Sequence, residues 1–417
     1  MPAETAAAAA AAALEGPGVE AALRTLVAGR GLTLLESRHL RTHHRPGGAL
    51  SALYRVTCTQ PGTGTLRLHF GAATAVPKLL ATARPETLHR MEVEGIELYF
   101  WLHPQDPGLS DLPWACDPAA VGLAVFGSAR PAELVITAYR PLRRAVVHAV
   151  SGETARAGMP DEAYLKVLPR PMVPALRRRH ELLETSPVPA PALRRTSRPL
   201  PAGVLALEPA SGDPLLHSLL TDGAPWLRPA DVTDLLDGLP QAAVELPLHR
   251  PWATRVTAYG RAAALVLPDR AAEISALAED IDAVVGAADP GPLVPTHGDF
   301  YEGNLLVAKN RISGLLDVDA LGPGHRVDDL ACLVGHLAVL SAINPAAAAL
   351  RGAFGVHRRA YAEAMGAAAL NGRAAAVALS LVPGARERSS APLPSRRENA
   401  GARLAAARML YDDAVRG

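Results

Sequence analysis

The sequence predicts an α+β protein, with a strand-rich N-terminal half followed by a helical C-terminal half. Three observations predict this. Short runs rich in β-branched and aromatic residues, among them Glu133–Tyr139 (ELVITAY), Ala145–Val150 (AVVHAV) and Ala163–Leu168 (AYLKVL), fall in the first 210 residues. Beyond about residue 209 the chain turns alanine-rich, and its apolar residues recur at helical spacing. Finally, 417 residues exceed one typical domain, which implies two or three structural units and a substantial core.

The elements follow in order. Residues 1–19 (MPAETAAAAAAAALEGPGV) read as a flexible, helix-prone leader. No basic residue precedes the alanine tract and Glu4 does, so a targeting signal is not expected. Residues 20–130 form a first unit. Its clearest feature is a hairpin of Ala49–Cys58 and Thr65–Ala72, with Pro61-Gly62 as the turn signal. A loop rich in Pro and Asp, His103–Pro118 (HPQDPGLSDLPWACDP), carries no recognised motif. Residues 131–208 hold the three strands above, the first two joined by Arg140-Pro141-Leu142-Arg143-Arg144. A helix follows at Val173–Glu184 (VPALRRRHELLE), ended by Pro187, Pro189 and Pro191, and then a short strand at Gly203–Leu207. Residues 209–417 are mainly helical, with an exposed loop expected at Ser389–Glu398 before a final helix.

Composition excludes several classes. A net charge of +1 offers no electrostatic attraction for nucleic acid, and 4% aromatics supply no base-stacking platform. Cys58, Cys116 and Cys332 are too few and scattered for a disulfide framework or zinc site, which fits a reducing cytoplasm. No apolar run reaches membrane-spanning length, so no membrane partner is expected. Lysine is rare: Lys78, Lys166 and Lys309 stand against 39 arginines. A retained lysine is therefore a hint that arginine would not serve there.

The chemistry-bearing stretch is His297–Asn304 (HGDFYEGN) together with the hairpin that succeeds it. Leu305–Ala308 and Ile312–Leu316 read as two short strands joined by Lys309-Asn310-Arg311. Such a hairpin sets Asn304 and Asp317 at the same open end, roughly 5 Å apart at the level of neighbouring strands. An amide oxygen and a carboxylate there suit a hard cation such as Mg²⁺. Asp299 would sit beside it, able to orient a hydroxyl and accept its proton. The spacing Asp-x-x-x-x-Asn is that of the protein-kinase catalytic loop. Taken alone, Asp299 and Asn304 also suit an ordinary polar turn.

HGDFYEGNLL, followed by GLLDVDALGPGHRVDDLA, resembles the aminoglycoside phosphotransferase and choline-kinase superfamily of small-molecule kinases. The resemblance implies a bilobal protein-kinase-like fold, β-rich in residues 131–208 and helical in 209–417. By position it makes Asp299 the catalytic base and Asn304 and Asp317 the Mg²⁺ ligands. Asp329 becomes the aspartate that holds the catalytic loop from a following helix, and His297 that loop's structural histidine. Upstream, Lys166 resembles the phosphate-binding lysine and Glu181 its helix-borne partner, with Glu184 one turn further on the same helix. LALEPASGDPL resembles the hinge that holds the adenine. Two departures stand out. RPLRR replaces a glycine-rich loop, leaving Arg143 or Arg144 to cover the phosphates, and His325-Arg326 occupies a position where the family often has Asp-Pro. The unit at 20–130 resembles the α/β cap of maltokinase-like enzymes.

The expectation is therefore a cytoplasmic enzyme that uses ATP, or another nucleoside triphosphate, with Mg²⁺ to phosphorylate a hydroxyl of a small polar acceptor. That acceptor is an aminoglycoside-like or other hydroxylated metabolite, or, by the cap, a sugar as in maltokinase- or glucosamine-kinase-like enzymes. Glu302, Asp319 and Asp328 are the acidic residues near enough in sequence to meet a cationic acceptor. A non-catalytic pseudokinase is the rival from another class, and intact Lys166, Asp299, Asn304 and Asp317 speak against it.

Overall fold

The structure, a computed structural model, describes residues 3–43, 50–60, 62, 64–76, 87–154, 160–385 and 395–417. Its contacts divide the chain into two units. One comprises Met1–Arg177 with Leu193–Pro209, and the other Arg178–Ala192 with Ala210–Gly417.

The first unit opens with helices α1 (Ala3–Glu15) and α2 (Gly18–Ala28). Strands β1 (Thr33–His43), β2 (Ser51–Gln60), β3 (Gly64–Ala73), β4 (Leu88–Val93) and β5 (Ile96–Leu102) make an antiparallel sheet of order β1-β2-β3-β5-β4. The expected hairpin is β2–β3, in register from Ser51↔Ala73 to Gln60↔Gly64, while Pro61 lies outside the described residues. The helix-prone leader forms α1. Ala10, Ala11 and Leu14 pack on the core formed by Leu23, Val27, Tyr54, Val56, Phe70 and Phe100, and the Tyr54 hydroxyl donates to the Leu14 carbonyl. Alanine makes the helix, and the one large apolar residue, Leu14, docks it.

The segment after β5 is more than a loop. It contains α3 (Leu112–Ala115) and α4 (Pro118–Val121). Leu109, Leu112, Val121 and Val125 enter the core under a second antiparallel sheet, made of β6 (Glu133–Arg140), β7 (Arg144–Thr154), β8 (Pro160–Val167) and β9 (Val204–Leu207) in that order. Helix α5 (Val173–Glu184) lies between β8 and β9 in the chain, with the bounds expected from sequence.

The second unit contains strands β10 (Asp213–Pro214), β11 (Leu293–Thr296), β12 (Leu305–Ala308), β13 (Arg311–Leu315) and β14 (Gly322–His325). Its helices are α6 (Leu215–Thr221), α7 (Pro229–Asp237), α8 (Val256–Val266), α9 (Ala271–Ala287), α10 (Arg326–Ile343), α11 (Ala348–Met365), α12 (Ala367–Leu381) and α13 (Arg396–Arg416). Helices α10, α12 and α13 pack together through Leu333, Leu337, Leu370, Val377, Leu404 and Leu410, all buried. The loop expected at Ser389–Glu398 lies largely outside the described residues. Ser395, though, is the N-cap of α13, with Glu398 completing a capping box. No helix of the described residues is long and apolar enough to cross a membrane.

Candidate active site

The site is assembled around a loop that the second unit holds at both ends. Strand β11 pairs with β14 in the register Thr296↔Gly322, which delivers residue 297 beside the turn after Asp317. Gly298 has φ +80°, and a Cβ there would lie 2.8 Å from the Ala320 carbonyl oxygen, so only glycine fits. His297 is fully buried and its Nε2 lies 2.9 Å from the Leu316 carbonyl oxygen. A carbonyl only accepts, so Nε2 carries the proton and Nδ1 faces the Asp299 amide at 3.4 Å. Burial lowers the His297 pKa and keeps the ring neutral.

Asp329, in the first turn of α10, clamps the same loop. One carboxylate oxygen accepts from the His297 N–H and the other from the Gly298 N–H, each at 2.8 Å. Complete burial pushes its pKa up to about 7, opposed by these two bonds and by Arg326.

Asn304 and Asp317 stand where the hairpin geometry places them. Strands β12 and β13 begin their register at Leu305↔Leu315, and the Leu316 N–H donates to the Asn304 carbonyl at 2.8 Å. The Asn304 side-chain nitrogen donates to the Asp299 carbonyl at 2.9 Å, which sets the amide so that its oxygen is the atom turned elsewhere. Asp317 adopts the left-handed region (φ 57°, ψ 50°), the step by which the chain leaves β13. A fixed amide oxygen and a carboxylate at one hairpin end are the donor type Mg²⁺ takes when water and phosphate oxygens complete its shell.

In the first unit, Lys166 lies on β8 opposite Val146 on β7 and Leu205 on β9. Its neighbours in sequence, Leu165 and Val167, join the core, so Lys166 projects from the other face of the sheet and is itself buried. Arg144 begins β7 and Arg143 precedes it in the turn after β6. Glu181 is exposed on α5, 3.9 Å from Arg178 one turn before it.

A sequence model of the phosphotransferase enzyme family matches residues 66–366, well over half of the chain. The chain belongs to the phosphotransferase enzyme family. No curated protein matches it significantly in sequence. Similar solved structures include a thermostable mutant of the aminoglycoside phosphotransferase APH(4)-Ia in ternary complex with AMP-PNP and hygromycin B. It is 13% identical with a TM-score of 0.45, covering 69% of this chain and 94% of that one. A second is the macrolide 2′-phosphotransferase MphH from Brachybacterium faecium, 23% identical with a TM-score of 0.38, covering 66% and 91%. A third is an aminoglycoside-3′-phosphotransferase of type VIII, 18% identical with a TM-score of 0.38, covering 66% and 93%. Scores of this size leave family membership resting on the sequence match.

Three acidic residues near the loop in sequence, Asp328, Asp319 and Glu302, interact within the protein. Asp328 lies 3.2 Å from the buried Arg373, and Asp319 is attracted to the buried Arg179. Glu302 is buried 3.8 Å from His336, whose ring stacks on Tyr301 at 4.2 Å. That contact is not an ion pair. Burial pushes Glu302 up to about 7 and His336 down to about 3, so each is driven toward its neutral form.

Two residues that carry no sequence signal of a role organise the first unit's sheet. Asp106 is buried and accepts from the Tyr139 hydroxyl (2.7 Å), the Leu142 N–H (2.8 Å) and the Gly108 N–H (2.7 Å). It thereby fixes the turn carrying Arg143, which a glycine-rich sequence would leave pliant. Asp111 takes two bonds from Arg170 (2.9 and 2.7 Å) and one from the Gly203 N–H (2.8 Å), tying the end of β8 to the start of β9. The Asp-Pro-Gly turn at 106–108 is the nearest thing to a signal, but its partners lie more than thirty residues away.

Proposed function

We propose that this chain transfers the γ-phosphate of ATP, or of another nucleoside triphosphate, to a hydroxyl of a small polar acceptor. The observation that carries the reading is the arrangement of Asp299, Asn304 and Asp317 around one loop locked by Asp329 and His297. Asp299 orients the acceptor hydroxyl and takes its proton as the oxygen attacks the γ-phosphorus. The phosphorus–oxygen bond to the β-phosphate breaks, and the nucleoside diphosphate leaves with that electron pair. Asn304 and Asp317 would hold Mg²⁺, which when bound neutralises charge on the phosphates.

Lys166, buried on the sheet, is assigned to the α- and β-phosphates, with Glu181 or Glu184 as its carboxylate partner. Arg143 and Arg144 are assigned to the phosphate-covering role of the missing glycine-rich loop. Asp329 and His297 hold positions and touch no reactant. Phosphoryl transfer asks the protein mainly for such positioning and charge neutralisation, so a rigid loop is what the chemistry needs.

The test is transfer from ATP with Mg²⁺ across a panel of sugars, hydroxy acids, amino alcohols and aminoglycosides. The expected outcome is Asp299-dependent turnover of at least one acceptor, with Asp299→Ala lowering kcat by at least a hundredfold. Equal background rates for wild type and Asp299→Ala on every acceptor would establish the pseudokinase alternative.

A further inference from the structure

The turn between β6 and β7 is held in a costly shape. The Arg143 N–H donates to the Arg140 carbonyl at 3.0 Å, closing the stretch Arg140-Pro141-Leu142-Arg143. Leu142 has φ +63°. Proline followed by a positive φ marks a type II turn, whose third position favours glycine or asparagine. Leucine there costs roughly 1–2 kcal/mol, so the conformation has to be imposed. Asp106 imposes it by accepting from the Leu142 N–H (2.8 Å) and the Tyr139 hydroxyl (2.7 Å). Gly108 backs the turn so closely that a Cβ on it would lie 2.7 Å from the Leu142 α-carbon. Backbone held against its preference by several contacts recurs at ligand clamps.

The strand register shows what this turn presents. Ala145, Val147, Leu165 and Val167 enter the core. Arg144 and Val146 alternate with the first two on β7, as Lys166 does with the others on β8, so they share the opposite face of the sheet. Arg140 pairs directly with Arg144 and joins that face. Val146 pairs with Lys166, which makes Arg144 the diagonal neighbour of Lys166, roughly 7–8 Å away at the backbone. Arg140 is exposed and Arg144 partly so, and this corner of the sheet therefore reaches solvent. Arg143 belongs to the turn and lies outside the ladder. Cations gathered at one corner of a sheet set up a field that favours a polyanion.

We propose that Arg140 and Arg144 join Lys166 in holding the nucleotide phosphates, that Arg143 takes no part, and that Asp106 presets the pair by locking the Leu142 turn. The inference rests on the phosphotransferase reading and deepens it, narrowing the phosphate contacts of the RPLRR segment to particular side chains. It also makes Asp106 a positioning residue for nucleotide binding. A glycine-rich loop would offer backbone N–H groups and could fold onto its ligand. A turn pinned by proline and a buried carboxylate instead offers guanidinium groups in fixed places. Their forks match phosphate oxygens two at a time. Affinity then grows with the charge of the nucleotide and falls as salt is added, because these groups lie at the surface.

The experiment is calorimetric titration of the full chain with adenosine, ADP and ATP, at low and at high salt. Arg140→Gln and Arg144→Gln are each expected to weaken ATP about tenfold and to leave adenosine unchanged, while Arg143→Gln stays within about twofold of wild type. High salt is expected to reduce the ATP affinity of wild type more than that of Arg144→Gln. Asp106→Ala also destabilises the protein, so Leu142→Gly carries the test of presetting. Glycine accepts the positive φ but frees the turn, and ATP affinity is expected to fall several-fold with the melting temperature held. Under a merely structural role ATP affinity would follow the melting temperature, and that result, or unchanged ATP affinity in Leu142→Gly, would overturn the presetting. Equal losses in Arg143→Gln and Arg144→Gln, no loss in Arg140→Gln or Arg144→Gln, or an adenosine loss as large as the ATP loss would overturn the assignment. The expected binding pattern without transfer to any acceptor would uphold it and sink the transfer reading alone. A wild type that binds no nucleotide would sink both.

Discussion

Gly298 sits between two demands on the catalytic loop. Its N–H must reach Asp329, and its α-carbon must pass the Ala320 carbonyl. A side chain there meets both a left-handed backbone and a steric contact well inside van der Waals distance. Gly298→Ala is therefore expected to destabilise the protein by roughly 2 kcal/mol or more and to abolish transfer. Urea denaturation with a parallel activity assay checks this, and a variant of wild-type stability and rate would show that the loop is looser than described. His297, Asp299, Asn304 and Asp317 can be singled out in the sequence because their spacing belongs to one continuous segment. What each atom does was not legible. Which His297 nitrogen carries the proton depends on the Leu316 carbonyl, and which Asn304 atom is presented depends on the Asp299 carbonyl.

Elements were predictable in proportion to how local their causes are. Helix α5 keeps its sequence-derived bounds because a helical stripe and three following prolines are contained in a short window. The hairpin β12–β13 likewise comes from two apolar runs and a tight Lys309-Asn310 turn, both residues with positive φ. The segment 103–118 failed the same treatment. Its Asp106 and Asp111 act on backbone groups at Leu142 and Gly203, and no local pattern announces such partners. Asp106→Ala is expected to leave the Leu142 N–H and Tyr139 hydroxyl unmet, at a cost of roughly 2–3 kcal/mol. Hydrogen–deuterium exchange should then accelerate at residues 139–144 while β8 stays protected. Unchanged exchange in that turn would remove the clamp assigned to Asp106.

At the scale of the molecule, the division into units does not follow the chain in simple order. The second unit includes Arg178–Ala192, and that piece is bonded into it. The Leu315 N–H donates to the Pro189 carbonyl at 2.9 Å, and Arg179 donates to the Leu321 carbonyl at 2.9 Å. Both acceptor and donor sit beside the catalytic hairpin. A fragment starting at Ala210 is thus expected to lose cooperative unfolding that a fragment starting at Arg178 retains, as read by circular dichroism against urea. Equal cooperativity of the two would show that the inserted segment contributes nothing to the unit. The leader makes a related point in the first unit: a helix-prone tract packs on the core through Leu14, whose carbonyl accepts from Tyr54.

Sequence alone was enough for the α+β class, the strand-rich then helical order, the α5 helix and the β12–β13 hairpin. Each rests on periodicity, turn chemistry or spacing within a few dozen residues. Tertiary structure decided how the loop at 297–304 is held. Asp329 reaching His297 and Gly298, and Arg373 claiming Asp328, are matters of burial and of contacts made in the packed core. In a linear sequence an engaged carboxylate is written with the same letter as an available one, because burial and partnership arise only when distant stretches of chain pack together.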